Sequence, residues 1–144
     1  MNTTLDHLHA LFLRDLDLLA QEIAAYPSES DLWIVGGDIK NSGGNLCLHL
    51  TGNLQHFIGT LLGKTDYVRN REAEFADKDI PKTVLLQQIE TTKKTISATF
   101  KKLNASDLAA TYPVEVFGKP MTTEYFLIHL LAHLTYHRGQ INYH

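Results

Sequence analysis

The chain has 144 residues, of which 44% are hydrophobic and 20% are charged, and its formal net charge is −3. These values are typical of one domain, residues 1–144, with a normal core, and they exclude the basic footprint of a nucleic-acid-binding protein. No apolar run reaches the length of a membrane span, and the first residues, MNTTLDHLHALF, lack the cationic start of a secretory signal. Cys47 is the only cysteine, so no internal disulfide can form. We therefore expect a cytoplasmic protein with neither a nucleic-acid nor a membrane partner.

The first half of the chain predicts two helices. Apolar residues recur at helical spacing over residues 5–26, and Pro27 ends this helix. After a glycine-rich loop, Asn41 or Ser42 can cap a second helix over about residues 42–63. A charged, polar connection follows this second helix.

The second half of the chain predicts two more helices. Pro81 fits the first turn of a third helix over about residues 81–103. Residues 111–121, TYPVEVFGKPM, predict an extended excursion that can close as a small hairpin. Thr122 or Thr123 then caps a fourth helix that runs to the end of the sequence. Four helices of about twenty residues, joined by long connections, predict an all-α fold and a four-helix bundle.

The last predicted helix carries a stripe of histidines in the string HLLAHLTYHRGQINYH. A step of four residues turns a helix by only about 40°, which places His133 and His137 on the apolar face and His129 near its polar edge. Two imidazoles at this spacing can hold one metal ion, as in the zinc motif H-E-x-x-H. Two ligands are too few for a tight site, so a third must come from another element. The alternative is a pair of hydrogen-bonded core histidines with no metal.

The second predicted helix supplies candidates for the third ligand. His49 and His56 are seven residues apart and share a face, with Asn53 between them. Gly52 lets a neighbouring element approach closely. Two helices that direct imidazoles into a shared core favour a metal site. Cys47 lies about 160° from His49 around the helix, and we expect it to pack as a small apolar residue.

Two strings resemble a known family. HLTGN, after a glycine-rich capped entry, and HLTYHRGQ near the end of the chain resemble the DinB-like superfamily of metal-dependent helical-bundle proteins, to which the bacillithiol and mycothiol S-transferases are related. The resemblance extends over essentially the whole chain. It implies a four-helix bundle with long connections that pairs as a homodimer. It also implies that His49, His133 and His137 hold one divalent metal ion.

The resemblance also implies an activity. A low-molecular-weight thiol would bind the metal as thiolate and attack an electrophile, or a bound water would support related hydrolase-like chemistry. Imidazole ligands suit Zn, Ni or Fe, and the sequence does not select among them. Asn53, Gln140 and Tyr136 are candidates for groups around the metal, and Trp33 could roof the pocket. No residue stands out as a catalytic base, and no carboxylate is evident beside the histidines.

Two other interpretations of the same residues stay open. The chain could be a non-catalytic metal-binding bundle that acts through a partner, or a plain helical bundle without metal. The plain bundle predicts that His133→Leu or His137→Leu is neutral or stabilising, whereas a metal site predicts that either change abolishes binding. No role is assigned to His56, His129 or His144, although His56 and His129 could border the cavity.

Overall fold

A computed structural model describes residues 3–143, so His144 lies outside the described residues. Within this range the chain is all-helical and contains no β-strand. The six α-helices are α1 (Thr3–Ala24), α2 (Gly43–Leu54), α3 (Arg71–Ala76), α4 (Lys82–Lys102), α5 (Ala105–Ala109) and α6 (Thr123–Tyr143). A 3-10 turn, Glu29–Trp33, precedes α2, and a π-helical segment, Gln55–Thr60, continues it. No helix in the described range is both long and apolar enough to cross a membrane.

The four helices predicted from periodicity are present as α1, α2 with its π-helical continuation, α4 and α6. The two short helices, α3 and α5, were not predicted. Local capping starts each of them: the Asn70 side chain accepts from the amide of Ala73 at α3, and Asn104 forms a capping box with Asp107 at α5. Helices of five or six residues contain too few turns for an apolar period to be visible in the sequence.

The long helices pack pairwise around one apolar core. Helix α1 contacts α4 and α6, and α2 contacts the same two helices from the other side. Each long helix contributes fully buried side chains to one continuous cluster: Phe12, Leu16, Leu19, Ile23, Leu50, Leu54, Leu85, Ile89, Ile96, Leu127 and Leu134. This packing brings the interior faces of α2 and α6 together, and these are the faces on which the sequence places the histidines.

The start of α2 is fixed by its cap and by two glycines. The Ser42 hydroxyl accepts a hydrogen bond of 3.1 Å from the amide of Asn45, which makes Ser42 the cap. The Trp33 ring lies directly over Gly44, where a Cβ would come within 2.7 Å of it. Trp33 therefore packs on the first turn of α2, more than one helical turn before His49.

The helix after Leu54 changes its hydrogen-bond register. The amide of Leu61 donates to the carbonyl of His56, and that of Gly63 donates to Ile58, both over five residues. This π-helical pattern inserts one extra residue into the turn. Side chains after residue 54 are therefore rotated relative to the regular α-helix that the sequence predicts.

The excursion over residues 111–121 forms no strand. One isolated antiparallel bridge joins Thr111 to Thr122, and the amide of Tyr112 donates to the carbonyl of Met121 at 2.8 Å. The predicted hairpin is present only as this single bridge. The excursion is anchored instead by its buried tyrosine, because the Tyr112 hydroxyl donates to the carbonyl of Phe57.

Candidate metal centre

Three histidines from two helices meet at one point of the interface between α2 and α6. One ring nitrogen from each of His49, His133 and His137 lies within 4.8 Å of the others. The Nε2 atoms of His49 and His133 are 3.1 Å apart, and the ring centroids of His133 and His137 are separated by 4.5 Å. The structure thus brings together the three histidines that the resemblance implied.

A carboxylate holds the far side of His49. Nδ1 of His49 lies 3.1 Å from Oε1 of Glu74, on α3. Arg69 donates to the same carboxylate through Nε and Nη2, each at 2.9 Å. Because a carboxylate accepts, His49 donates from Nδ1, and the lone pair of Nε2 then points into the cluster.

Glu74 stays ionised although it is buried. Burial raises the pKa of this carboxyl, but the hydrogen bonds from His49 and Arg69 lower it by more, so the pKa lies below its ordinary value. The side chain of Glu74 is only 6% exposed. An ionised carboxylate on the distal nitrogen of a histidine fixes the ring orientation and raises its basicity, as in carboxylate–histidine–metal triads.

Gly52 makes this contact sterically feasible. A Cβ at position 52 would lie 2.7 Å from Cδ of Glu74 and overlap its Oε2 atom. The close approach expected at Gly52 is therefore that of α3, which presses its carboxylate against α2. The same approach places Glu74 within hydrogen-bond distance of His49, one turn earlier on α2.

His137 is held by a neighbour on its own helix. Its Nδ1 atom donates to Oε1 of Gln140 at 2.6 Å, which leaves Nε2 unprotonated. Nε2 of Gln140 lies 3.5 Å from the Tyr136 hydroxyl. Gln140 therefore lies next to the cluster and holds His137, in keeping with its selection from the sequence as a group around the metal. Tyr136 lies beside Gln140 at the surface.

His133 is neutral in this environment. Burial, together with the neighbouring imidazoles of His137, His49 and His129 and the charge of Arg69, lowers its pKa to about 3. Its Nδ1 atom is buried and has no hydrogen-bond partner within residues 3–143. Of the three histidines, His133 alone lacks a group that fixes its distal nitrogen.

The donor set fits a divalent transition metal. Zinc bonds to histidine nitrogen of 2.0–2.1 Å at tetrahedral angles place ligand nitrogens about 3.3 Å apart, close to the 3.1 Å between His49 and His133. Neutral imidazole suits Zn, Ni and Fe alike. Three protein ligands leave at least one coordination position for water or substrate.

The other candidate histidines lie beside this group and are not members of it. His129 stacks on Phe126 at 5.6 Å and meets the edge of Phe117 at 4.9 Å, while its ring centroid is 6.4 Å from that of His133. His56 belongs to the π-helical segment and packs on Phe57, and burial, with the charge of Arg69, lowers its pKa.

Two further residues singled out in the sequence are buried in α2. Asn53 follows His49 by one turn, and its Oδ1 atom has no partner in the described part of the chain. Cys47 is fully buried in the core, and burial raises the pKa of its thiol to about 12. The expectation that Cys47 packs as a small apolar residue is confirmed.

The carboxylate that holds His49 was not evident from the sequence. Glu74 and Arg69 lie in the stretch interpreted as a polar connection, 25 and 20 residues after His49. Their charges resemble those of any solvated loop, and their contact with His49 depends on how α3 folds back on α2. The one sequence signal was Gly52, which predicted a close neighbour without identifying it.

Fold and site together define an all-helical protein with a three-histidine cluster supported by a buried carboxylate. The family described as "protein of unknown function (DUF1572)" matches residues 3–144. The chain therefore belongs to the DUF1572 family. No curated protein matches the chain.

Proposed function

We propose that this chain is a divalent-metal-dependent protein of the DinB-like type, in which four long helices form a bundle around a metal held by His49, His133 and His137. The proposed activity is the transfer of a low-molecular-weight thiol to an electrophile. One observation carries the proposal: three imidazole nitrogens converge within 4.8 Å, while Glu74 and Gln140 hold the far nitrogens of two of the rings. The resemblance of the HLTGN and HLTYHRGQ strings to the DinB-like superfamily supports the choice of thiol chemistry.

The protein's own part in this activity is to hold and orient. Glu74, itself held by Arg69, accepts from Nδ1 of His49 and orients that ring with Nε2 directed at the cluster. Gln140 does the same for His137. The lowered pKa of His133 keeps this third imidazole neutral at neutral pH, so this ring needs to lose no proton before it binds a metal.

The reaction follows from what such a site supplies. A divalent ion held by His49, His133 and His137 would lower the pKa of a thiol or water bound to it. In the transfer, the thiol loses its proton, its sulfur bonds to the electrophilic carbon, and the leaving group departs with the bonding electrons. Hydrolase-like chemistry at the same position would use water in place of the thiol.

A second function has one specific observation in its favour. Glu74 is the carboxylate within hydrogen-bond distance of the cluster, and both of its oxygens are engaged by His49 and Arg69. It is therefore not free to accept a proton from substrate. A non-catalytic protein that binds metal and acts through a partner would need no such base.

The first test is metal content, measured by mass spectrometry on protein purified without a nickel column. We expect about one metal ion per chain in the wild type and none in a His133→Ala, His137→Ala double variant. The matched control is His129→Ala, one turn earlier on α6 and outside the cluster, which should keep its metal. Absence of metal from the wild type, even after incubation with Zn, Ni or Fe, would refute the metal site.

The second test separates the two functions. Cysteine and glutathione serve as thiol probes with monochlorobimane as the electrophile, and loss of thiol is followed with metal-loaded and chelator-treated protein. Metal-dependent conjugation above the uncatalysed rate, absent from the double variant, supports the transferase. A protein that binds one metal ion yet accelerates no reaction with any thiol tested would favour the non-catalytic function.

A further inference from the structure

A cavity lies between α2 and α4, on the other side of α2 from the histidine cluster. Its volume is about 440 Å³, within the range of about 300–1,000 Å³ that is typical of small-molecule sites. One wall is formed by Leu48 and Thr51 of α2 and by Gln55, which begins the π-helical segment. At about 100° per residue, these side chains lie about 100–160° around the helix from His49. The cavity is therefore separate from the proposed metal centre, and we call it the α2–α4 cavity.

The remaining walls of the α2–α4 cavity are fixed in place. Helix α4 forms the facing wall, and α3 with the residues on either side of it forms the third. The Thr60 hydroxyl donates to the carbonyl of Tyr67 at 2.8 Å. The side-chain amide of Asn45 donates to the carbonyls of Glu74 and Asp77 at 3.0 and 2.8 Å. Because these bonds hold the third wall to α2 and its continuation, the cavity exists before any ligand enters it.

Gln55 places an unpaired amide in the α2–α4 cavity. The residue is only 9% exposed, and within residues 3–143 its side-chain amide makes no hydrogen bond. A glutamine side chain offers one carbonyl acceptor and two N–H donors, and leaving such groups unpaired in the interior is destabilising. The amide of Gln55 is therefore free to bind a group that enters the cavity.

Two more amides line the opposite wall. Gln87 and Gln88 of α4 border the cavity, and neither side chain is hydrogen-bonded in the described part of the chain. Thr91 adds a hydroxyl one turn further along α4. Amide side chains pair best with a ligand edge that carries a donor next to an acceptor, as glutamine does with adenine. The polar lining thus fits a carboxamide, a lactam or a nucleobase edge.

The apolar part of the lining suits the faces of a flat molecule. Val68 and Val84 are 87% and 38% exposed, and both border the cavity together with Leu48 and the Tyr67 side chain. Small-molecule sites are lined mainly by apolar and aromatic side chains, with a few polar groups that fix the orientation of the ligand. The α2–α4 cavity has both kinds of group.

The charges around the cavity exclude an anionic ligand. Among the described residues, no lysine or arginine borders it, and the two carboxylates are those of Glu74 and Asp77. Arg69 and His49 engage Glu74, whereas Asp77 forms no ion pair within the described range. A phosphate or carboxylate group would therefore lose its hydration without gaining a cation, and would meet a like charge.

We propose that the α2–α4 cavity binds a small uncharged molecule that carries a carboxamide or an equivalent donor–acceptor edge, as nicotinamide and the nucleobases do. Gln55 pairs with that edge at the inner end, and the amides of α4 bind the outer polar groups. Leu48 and Val84 contact the faces of the ring. The proposal does not rest on the metal, because none of the three clustered histidines borders this cavity.

The test is the binding of nicotinamide, uracil and adenine to metal-free protein, measured by ligand-observed NMR and calorimetric titration. Probes of about ten non-hydrogen atoms should bind with a Kd of about 0.1–1 mM. The charged counterparts nicotinate and orotate should bind at least about 10-fold more weakly. A protein that binds none of the three uncharged probes at about 10 mM overturns the proposal. Equal binding of nicotinamide and nicotinate overturns the assignment to an uncharged ligand.

Variants test whether the probes bind in the α2–α4 cavity. Gln55→Leu removes the unpaired amide at similar size, so it should be at least as stable as the wild type and bind the probes about 10-fold more weakly. Thr91→Trp fills the cavity from an exposed position of α4 and should abolish binding. The matched control is Gln21→Leu, at an exposed position of α1, which should bind as the wild type does. The His133→Ala, His137→Ala variant should also bind normally. Binding that survives both cavity variants, or that is lost from the histidine variant, overturns the assigned site.

Discussion

Replacing Gly52 by alanine should weaken both the fold and the metal site. In an ordinary helix this change is stabilising by up to about 1 kcal/mol. Here the new Cβ would lie 2.7 Å from Cδ of Glu74 and overlap Oε2, so the carboxylate must withdraw from α2. Its withdrawal breaks the contacts with His49 and Arg69 that give the site its orientation.

The expected size follows from the bonds that are lost. Hydrogen bonds to a charged group contribute about 1.5–3 kcal/mol each, and Glu74 accepts from His49 and twice from Arg69. Loss of one or two of these, offset by the gain in helix propensity, gives a net destabilisation of about 2–4 kcal/mol. For a chain of this size the melting temperature should fall by about 5–15 °C. Loss of the carboxylate behind His49 should also weaken metal affinity about 10- to 100-fold.

The measurements are urea unfolding of the metal-free protein and calorimetric titration with Zn. The matched control is Gly139→Ala, a helical glycine whose added Cβ meets nothing within 4 Å, and it should be neutral or stabilising. A Gly52→Ala protein with wild-type stability and wild-type Zn affinity would refute the role assigned to Glu74.

Three further predictions follow from the site and its surroundings. Below pH 6.5 His133 is protonated in the unfolded chain but not in the folded chain, where its pKa is about 3. The free energy of unfolding of the metal-free protein should therefore fall as the pH is lowered from 6.5 towards 3. If the urea midpoint of His133→Leu depends on pH as strongly as that of the wild type, this prediction is wrong. Gln140→Leu removes the acceptor for Nδ1 of His137. It should weaken Zn affinity about 10-fold and leave the stability of the metal-free protein nearly unchanged. An unchanged Zn affinity in calorimetric titration would show that this contact is dispensable. Tyr112→Phe removes the hydroxyl that donates to the carbonyl of Phe57. We expect the free energy of unfolding in urea to fall by about 1–2 kcal/mol, with no loss of bound metal. An unchanged urea midpoint would mean that this hydrogen bond adds nothing to stability.

The long helices could be predicted from the sequence because their information is local. The apolar period of α1 and the proline before α4 predicted both helices to within two residues at each end. The same period placed His133 and His137 on the interior side of α6, since residues four apart share a helix face whatever surrounds them. Helical spacing places His49 and His56 on the same face of the second helix, so it does not choose between them. The choice of His49 as the metal ligand came from the family resemblance.

The supporting groups of the site were decided by tertiary structure. His56 is separated from the cluster in the structure, where a π-helical turn interrupts the register after Leu54. Glu74 and Arg69 reach His49 only because α3, a helix of six residues with no apolar period of its own, folds back on α2 where Gly52 has no side chain. Hydrophobic periodicity predicts which side of a helix is buried, but it does not predict which residue from a distant part of the chain packs against that side. The sequence by itself therefore determined the helices and the inward-facing histidines, and only the packing of α3 on α2 decided which charged groups would hold one of them.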